Sequence, residues 1–135
     1  MRADDLFERL VDNALDFLSR SIDDLERSPK YSVIHFHAAV ELLVTARLMS
    51  EHWALVVAKR QDADWEKFVA GDFQFVSLEE AAGKLEKVVR SGLTKPSLQA
   101  FQNVGKHRNK MVHFSTKRIR PWRTVIYAPR SRKNN

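Results

Sequence analysis

Apolar side chains recur along this chain at steps of three and four, the period of a helix that buries one side. Phe7, Leu10, Ala14, Phe17, Ser21 and Leu25 form the first such stripe, flanked by Val11, Leu18 and Ile22, with Asp, Glu and Arg opposite. Ser28-Pro29 then offers an N-cap and a first-turn proline. The pattern predicts a long second helix from about Pro29 to about Lys59. It is apolar on more than one face, through Ile34, Phe36, Ala38, Ala39, Leu42, Leu43, Ala46, Met49, Trp53 and Val56. Such a helix is the central, most buried member of a bundle.

Residues 60–76 predict a short helix around Trp65, Phe68 and Val69, capped by Asp62 or Asp64 and ended by Gly71. Ser77-Leu78-Glu79-Glu80 has the spacing of a capping box. The helix it opens carries Leu78, Ala81, Ala82, Leu85, Val88 and Val89 and stops at Gly92. A last helix begins near Pro96 and runs through Leu98, Phe101, Val104, Arg108 and Val112. Beyond it, Pro121 and Pro129 bracket a β-like stretch, Thr124 to Tyr127. The expected fold is all-α: four main helices and one short one, over residues 1–115, with an irregular basic tail over 116–135.

Charge divides the chain in the same place. Residues 1–115 carry 16 basic and 17 acidic side chains, whereas 116–135 carry seven basic and no acidic ones, so the net +6 belongs to the tail. Such asymmetry points to a nucleic-acid or membrane contact. The longest uninterrupted apolar run, Trp53 to Ala58, is far short of the ~20 residues that span a bilayer. The acidic start, Met1-Arg2-Ala3-Asp4-Asp5, lacks the pattern of a signal peptide. With no cysteine there is no disulfide, thiolate nucleophile or zinc–thiolate site, which fits a reducing cytoplasm. There is no Walker loop or dinucleotide fingerprint, and no cofactor is expected.

One constellation carries chemistry: Lys106-His107-Arg108-Asn109-Lys110-Met111-Val112-His113. Arginine can hold a phosphate with two hydrogen bonds and stabilise charge building on its oxygens. Histidine titrates near neutrality and can move the proton of a ribose 2′-hydroxyl or of a leaving 5′-oxygen. A set of this kind needs no metal if the 2′-hydroxyl is the attacking group, and would then cut RNA rather than DNA. On an unbroken helix, however, Arg108 and His113 point ~140° apart, while Asn109 and His113 share a face. Either Arg108 curls round, the helix ends before His113, or two chains pool their sites; the last is favoured here. The plain alternative is a solvated helix face that happens to carry Arg and His.

The motif resembles that of HEPN domains (higher eukaryotes and prokaryotes nucleotide-binding), whose hallmark is an arginine, four to six residues and a histidine, often with a polar residue straight after the arginine. Arg108-Asn109-Lys110-Met111-Val112-His113 matches that form, late in the bundle. The central segment Ala39-Val40-Glu41-Leu42-Leu43-Val44-Thr45-Ala46-Arg47, and Tyr31 to His37 before it, are similar as well. The likeness covers roughly residues 5–115. It implies a metal-independent endoribonuclease that leaves a 2′,3′-cyclic phosphate, acts as a homodimer, and serves as a toxin or defence component in the cytoplasm. It implies Arg108 and His113 as the catalytic pair, assisted by Asn109. A partner antitoxin such as a nucleotidyltransferase-like protein would fit, and no membrane is involved. The alternative within the same resemblance is a non-catalytic module that binds a nucleotide or such a partner.

Glu41, set among apolar neighbours, is expected to be buried and to need a partner. Arg108 is the obvious one, which would make Glu41 the group that orients it; Arg47, Lys106 or water are the other options. Two departures from the family pattern stand out. Thr45 occupies a position where many members carry lysine. Ser115 stands two residues after the histidine, where some HEPN toxins carry a tyrosine that a partner adenylylates. RNA contacts are expected from Lys106, Lys110, Lys117, Arg118, Arg120 and Arg123. Trp122, among those arginines, is expected either to stack on an unpaired base or to pack back on the bundle. His35 and His37 point ~200° apart on a helix and cannot share a metal ion. His52, Trp53 and Trp65 read as packing residues.

Overall fold

The computed structural model describes residues 1–114 and 121–126 of the 135-residue chain. These residues are mostly helical. Helices α1 (Ala3–Asp23) and α2 (Pro29–Met49) are joined by a short loop and lie against each other along their length as an antiparallel hairpin. Ala14 of α1 has no exposed surface, which lets α2 approach closely. At the closed end, the Ser32 hydroxyl donates to the carbonyl of Ser21, and both residues are buried.

Helix α2 is the core of the molecule. Val33, Phe36, Val40, Val44, Leu48 and Met49 all enter one continuous apolar cluster. An 18-residue window of α2 has a mean hydropathy of 1.3, enough on composition to cross a membrane, yet 61% of it is buried by the rest of the bundle. The multi-faced apolar pattern thus reflects neighbours on several sides.

The helix ends at Met49, ten residues before the expected Lys59. His52 leaves helical geometry with φ −165° and ψ 138°, and its Nδ1 accepts the backbone N–H of Ala54 at 3.1 Å. The chain restarts as a 3-10 turn, Trp53–Val56. The apolar run then continues in extended form: Val57 pairs with Phe75 in an isolated antiparallel bridge, and Val56 and Val57 are buried. Lys84 donates to the carbonyls of Leu55 and Val57 at 2.8 and 3.2 Å, satisfying backbone groups that no helix serves. A short apolar run reads alike in either conformation, so periodicity did not separate them.

Helix α3 (Trp65–Ala70) is capped by the Asp64 carboxylate, which accepts from Lys67 N–H at 3.0 Å, and ends on Gly71 at φ 74°. Trp53, Trp65, Phe68 and Phe73 stack edge and face around it, which is the packing role expected of the tryptophans. Helix α4 (Leu78–Lys84) continues as a π-helical turn, Leu85–Val89, and stops at Arg90, a left-handed residue with φ 65°, just before Gly92. Ser77 caps α4 by accepting from Glu80 N–H at 3.1 Å. Replacing it, Ser77→Ala, is expected to cost about 1 kcal/mol, read as a lower urea midpoint at unchanged slope.

Helix α5 (Lys95–His113) starts at Thr94, whose hydroxyl accepts from Ser97 N–H at 3.2 Å, with Pro96 in its first turn. Helix α6 (Trp122–Ile126) replaces the β-like stretch that the β-branched residues suggested. Trp122 and Val125, three apart, face the bundle together; Val125 is 6% exposed and belongs to the core. Burial of that face overrides local β preference. The described part of the basic segment is therefore ordered helix docked on α2 and α5, not an irregular tail.

Candidate functional site

A cleft of about 390 Å³ opens between α2, the start of α4 and α5. Helix α2 contributes His37 and Glu41, one turn apart; α4 contributes Glu79 in its first turn; α5 contributes Lys106, Arg108 and Asn109. Gln99 and Gln102 extend the polar wall, and Leu78 and Phe101 form apolar parts of it. The Ser77 cap fixes where α4 begins, and so holds Glu79 at the rim.

Arg108 is half-buried, and its Nη1 donates to Asn109 Oδ1 at 3.0 Å. Both residues line the cleft, so this bond between neighbours steadies the guanidinium at its wall.

His37 is the most enclosed ionisable group here, with 11% of its side chain exposed. Its Nε2 lies 3.5 Å from Glu41 Oε1. Burial pushes its pKa below the ordinary histidine value; Glu41 opposes that, the Arg108 guanidinium adds to it, and Glu79 opposes it. Across the helix interface stands Gly105. A Cβ at that position would come within 3.0 Å of His37 Nε2. Glycine inside a helix costs roughly 1 kcal/mol relative to alanine, and here its lack of a side chain makes room for the imidazole.

Of the residues singled out in the sequence, Arg108, Asn109, Glu41 and Lys106 meet in this cleft. Glu41 corrects one expectation: it is not buried, having 47% of its side chain exposed, and the group its carboxylate approaches is His37, not Arg108. Arg47 is engaged elsewhere, with Glu51 at 2.8 Å. His113 does not line the cleft. Helix α5 runs unbroken to His113, and only Phe114 turns to extended backbone, so the helix does not end before the histidine. His113 follows Asn109 by one turn, beyond the end of the cleft, and is exposed, with exposed Val112 and Phe114 beside it. Within one chain, then, Arg108 and His113 diverge as helix geometry requires.

Lys110 is exposed on α5 outside the cleft. Lys117, Arg118, Arg120 and Ser115 lie outside the described residues. Arg123 reaches Glu26 of the α1–α2 loop at 3.4 Å, an exposed pair that contributes little stability. Trp122 stacks on Phe36 with ring centroids 3.9 Å apart and planes at 4°, so it packs on the bundle rather than standing free for a base. His35 points to α1, 3.7 Å from Asp24 and beside Phe17, away from His37. Among the described residues no group of three or more His, Asp or Glu side chains is arranged to hold a metal.

His37 and Gly105 were not picked out from the sequence as site residues. Their signals were present: His37 and Glu41 stand four apart on one helix face, and Gly105 interrupts an otherwise regular helix just before Arg108.

The chain matches no protein-family model, and comparison with curated proteins and with solved structures finds no match.

Proposed function

We propose that the protein is a metal-independent endoribonuclease of HEPN type that works as a homodimer. The observation that carries this reading is the cleft in which Arg108, Asn109 and Glu41, three residues marked independently by motif and charge, come together with a titratable group. Arg108 would hold the scissile phosphate by paired hydrogen bonds, and Asn109 would steady it. Lys106 adds positive charge that draws in an RNA backbone. His113 would join from a second copy. Exposed Val112 and Phe114, on either side of it, supply apolar surface for that pairing. Cleavage by the 2′-hydroxyl would leave a 2′,3′-cyclic phosphate and a 5′-hydroxyl. The toxin or defence role, the cytoplasmic setting and a nucleotidyltransferase-like antitoxin follow from the resemblance to HEPN domains and stand as part of the proposal.

The test is cleavage of defined RNAs in EDTA. Wild type is expected to cut RNA and to leave the matching DNA intact. Arg108→Ala is expected to be slower by about 10²–10³-fold, the usual effect of removing one group that stabilises developing charge. Undiminished cutting by Arg108→Ala, or full loss of wild-type activity in EDTA, would count against the reading.

One observation favours a second reading. The cleft gathers Arg108, Lys106, Asn109 and His37 in a single chain without His113. A module that only binds a nucleotide phosphate needs nothing more. It predicts mononucleotide binding by monomers, lost in Arg108→Ala, and no cleavage of any RNA.

A further inference from the structure

Cleavage by a 2′-hydroxyl needs two proton movements, one off O2′ and one onto O5′. The Arg-to-His motif supplies a single histidine, and that histidine sits outside the cleft that holds the arginine. The cleft has an imidazole of its own. We infer that His37 takes up the 2′-hydroxyl proton, with Glu41 as its carboxylate partner and Arg108 holding the phosphate. The inference rests on the endoribonuclease reading above and divides the proton work of that reaction between two histidines.

Three features fit His37 to the task. It lines the same cleft as Arg108, so a phosphate held by the guanidinium would place the adjoining ribose in the space that the imidazole borders. Glu41 lies 3.5 Å from Nε2, longer than a good hydrogen bond yet within ion-pair reach. Catalytic contacts of this kind are often long before substrate binds and tighten in the complex. The third feature is Gly105, whose missing side chain leaves the ring its place against α5. A Cβ there would crowd the imidazole at Nε2 and ask it to shift by a few tenths of an ångström.

The step balances. Neutral His37 accepts the proton as the O2′–H bond breaks. The freed oxygen pair forms the bond to phosphorus, and the P–O5′ bond breaks. O5′ leaves with a proton from the imidazolium of His113 in the second copy. The products are the cyclic phosphate and the 5′-hydroxyl, and the two histidines have exchanged protonation states, to be reset by water. Burial lowers the pKa of the His37 imidazole from its ordinary value, which favours the neutral form that a base requires. The charged groups facing it are Glu41 from α2, Glu79 from α4, and Arg108 and Lys106 from α5.

These neighbours fix the sign of the pH dependence. Activity should rise with pH as His37 loses its proton. Removing the charge of Glu41 takes away an interaction that favours imidazolium, so the acidic limb of the Glu41→Gln profile should move to lower pH. The experiment is single-turnover cleavage of a defined RNA by the full chain in EDTA, from about pH 5 to pH 9, with circular dichroism on each variant. His37→Gln is expected to lose about 10²–10⁴-fold in rate and to lose the acidic limb. Glu41→Gln is expected to keep its fold, since the side chain is half exposed, and to shift that limb downward. A His37→Gln protein that cuts within a few-fold of wild type, or that keeps the wild-type limb, overturns the assignment. So does a Glu41→Gln profile that does not move, which decides the matter if His37→Gln fails to fold. Wild type that cuts no RNA sinks the endoribonuclease reading and this one with it. Wild type that depends on Arg108 but not on His37 sinks only this one.

Discussion

Arg108→Ala and His113→Ala chains, each inactive alone, are expected to recover RNA cleavage when mixed and allowed to exchange partners. The reason is the geometry of α5. The helix is continuous from Lys95 to His113, so the two side chains leave it ~140° apart and about 7.5 Å apart along its axis. Arg108 faces the cleft against α2, and His113 lies past the cleft's end beside exposed Val112 and Phe114. In the proposed dimer, a two-fold axis at that end of α5 would bring the His113 of each copy toward the other's cleft. In a mixed pair one site then carries both intact residues and the other carries neither. Random exchange makes half the pairs mixed, each with one of two sites working, so recovery should approach about one quarter of wild-type activity. The measurement is the cleavage rate of the equilibrated mixture against each variant alone, with sedimentation to establish the dimer. If both variants stay dead in the mixture while the dimer persists, the site does not combine Arg108 of one copy with His113 of the other.

The fold was legible in the sequence wherever the signal was a long amphipathic period or a cap. Helix α1, the start of α2 at Pro29, the Ser77 cap and the span of α5 all follow from local chemistry that tertiary contacts reinforce. Legibility failed where burial, not periodicity, decides. Trp53 to Ala58 is apolar enough for helix, but its place is a 3-10 turn and a bridge to Phe75. Thr124 to Ile126 is β-branched, yet Val125 is needed in the core one helical turn after Trp122. The site shows the same division. Arg108 and Asn109 were visible as neighbours in a motif. Glu41 was visible as a charge on an apolar helix, but not its exposure or its pairing with His37. His37 acquires its meaning only when α5 is laid against α2, because the space it fills is created by the missing side chain of Gly105 on another helix.

The charge asymmetry between residues 1–115 and 116–135 takes a different sense once α6 is placed. Removing the basic segment by truncation would remove Trp122 and Val125 as well, and so would strip one face of α2. A loss of RNA binding in such a truncation would confuse lost charge with lost fold. Neutralising exposed Arg123 keeps the two apart, because its pair with Glu26 contributes little.

Trp122→Ala is the substitution expected to destabilise the bundle most visibly, by roughly 2–4 kcal/mol, toward the lower end of aromatic truncations because the residue is only partly buried. A domain of this kind has only about 5–15 kcal/mol in hand, so that is a substantial fraction. The loss comes from the stacked contact with Phe36, at 3.9 Å between centroids, and from the support that α6 gives to Val125. The indole N–H contributes nothing to it: Nε1 is buried without a hydrogen-bond partner among the described residues. Trp122→Phe should therefore be mild, since it keeps a ring against Phe36 and removes an unsatisfied donor, whose burial is itself unfavourable. Urea denaturation of the two variants separates the contributions. A midpoint for Trp122→Ala equal to wild type would mean that α6 does not hold the bundle together. If Trp122→Phe cost as much as Trp122→Ala, the indole edge rather than the stacked face would be the part that matters. Because Phe36 directly precedes His37 on α2, the alanine variant should also slow RNA cleavage in proportion to how far the loosened helix lets the imidazole leave the cleft wall.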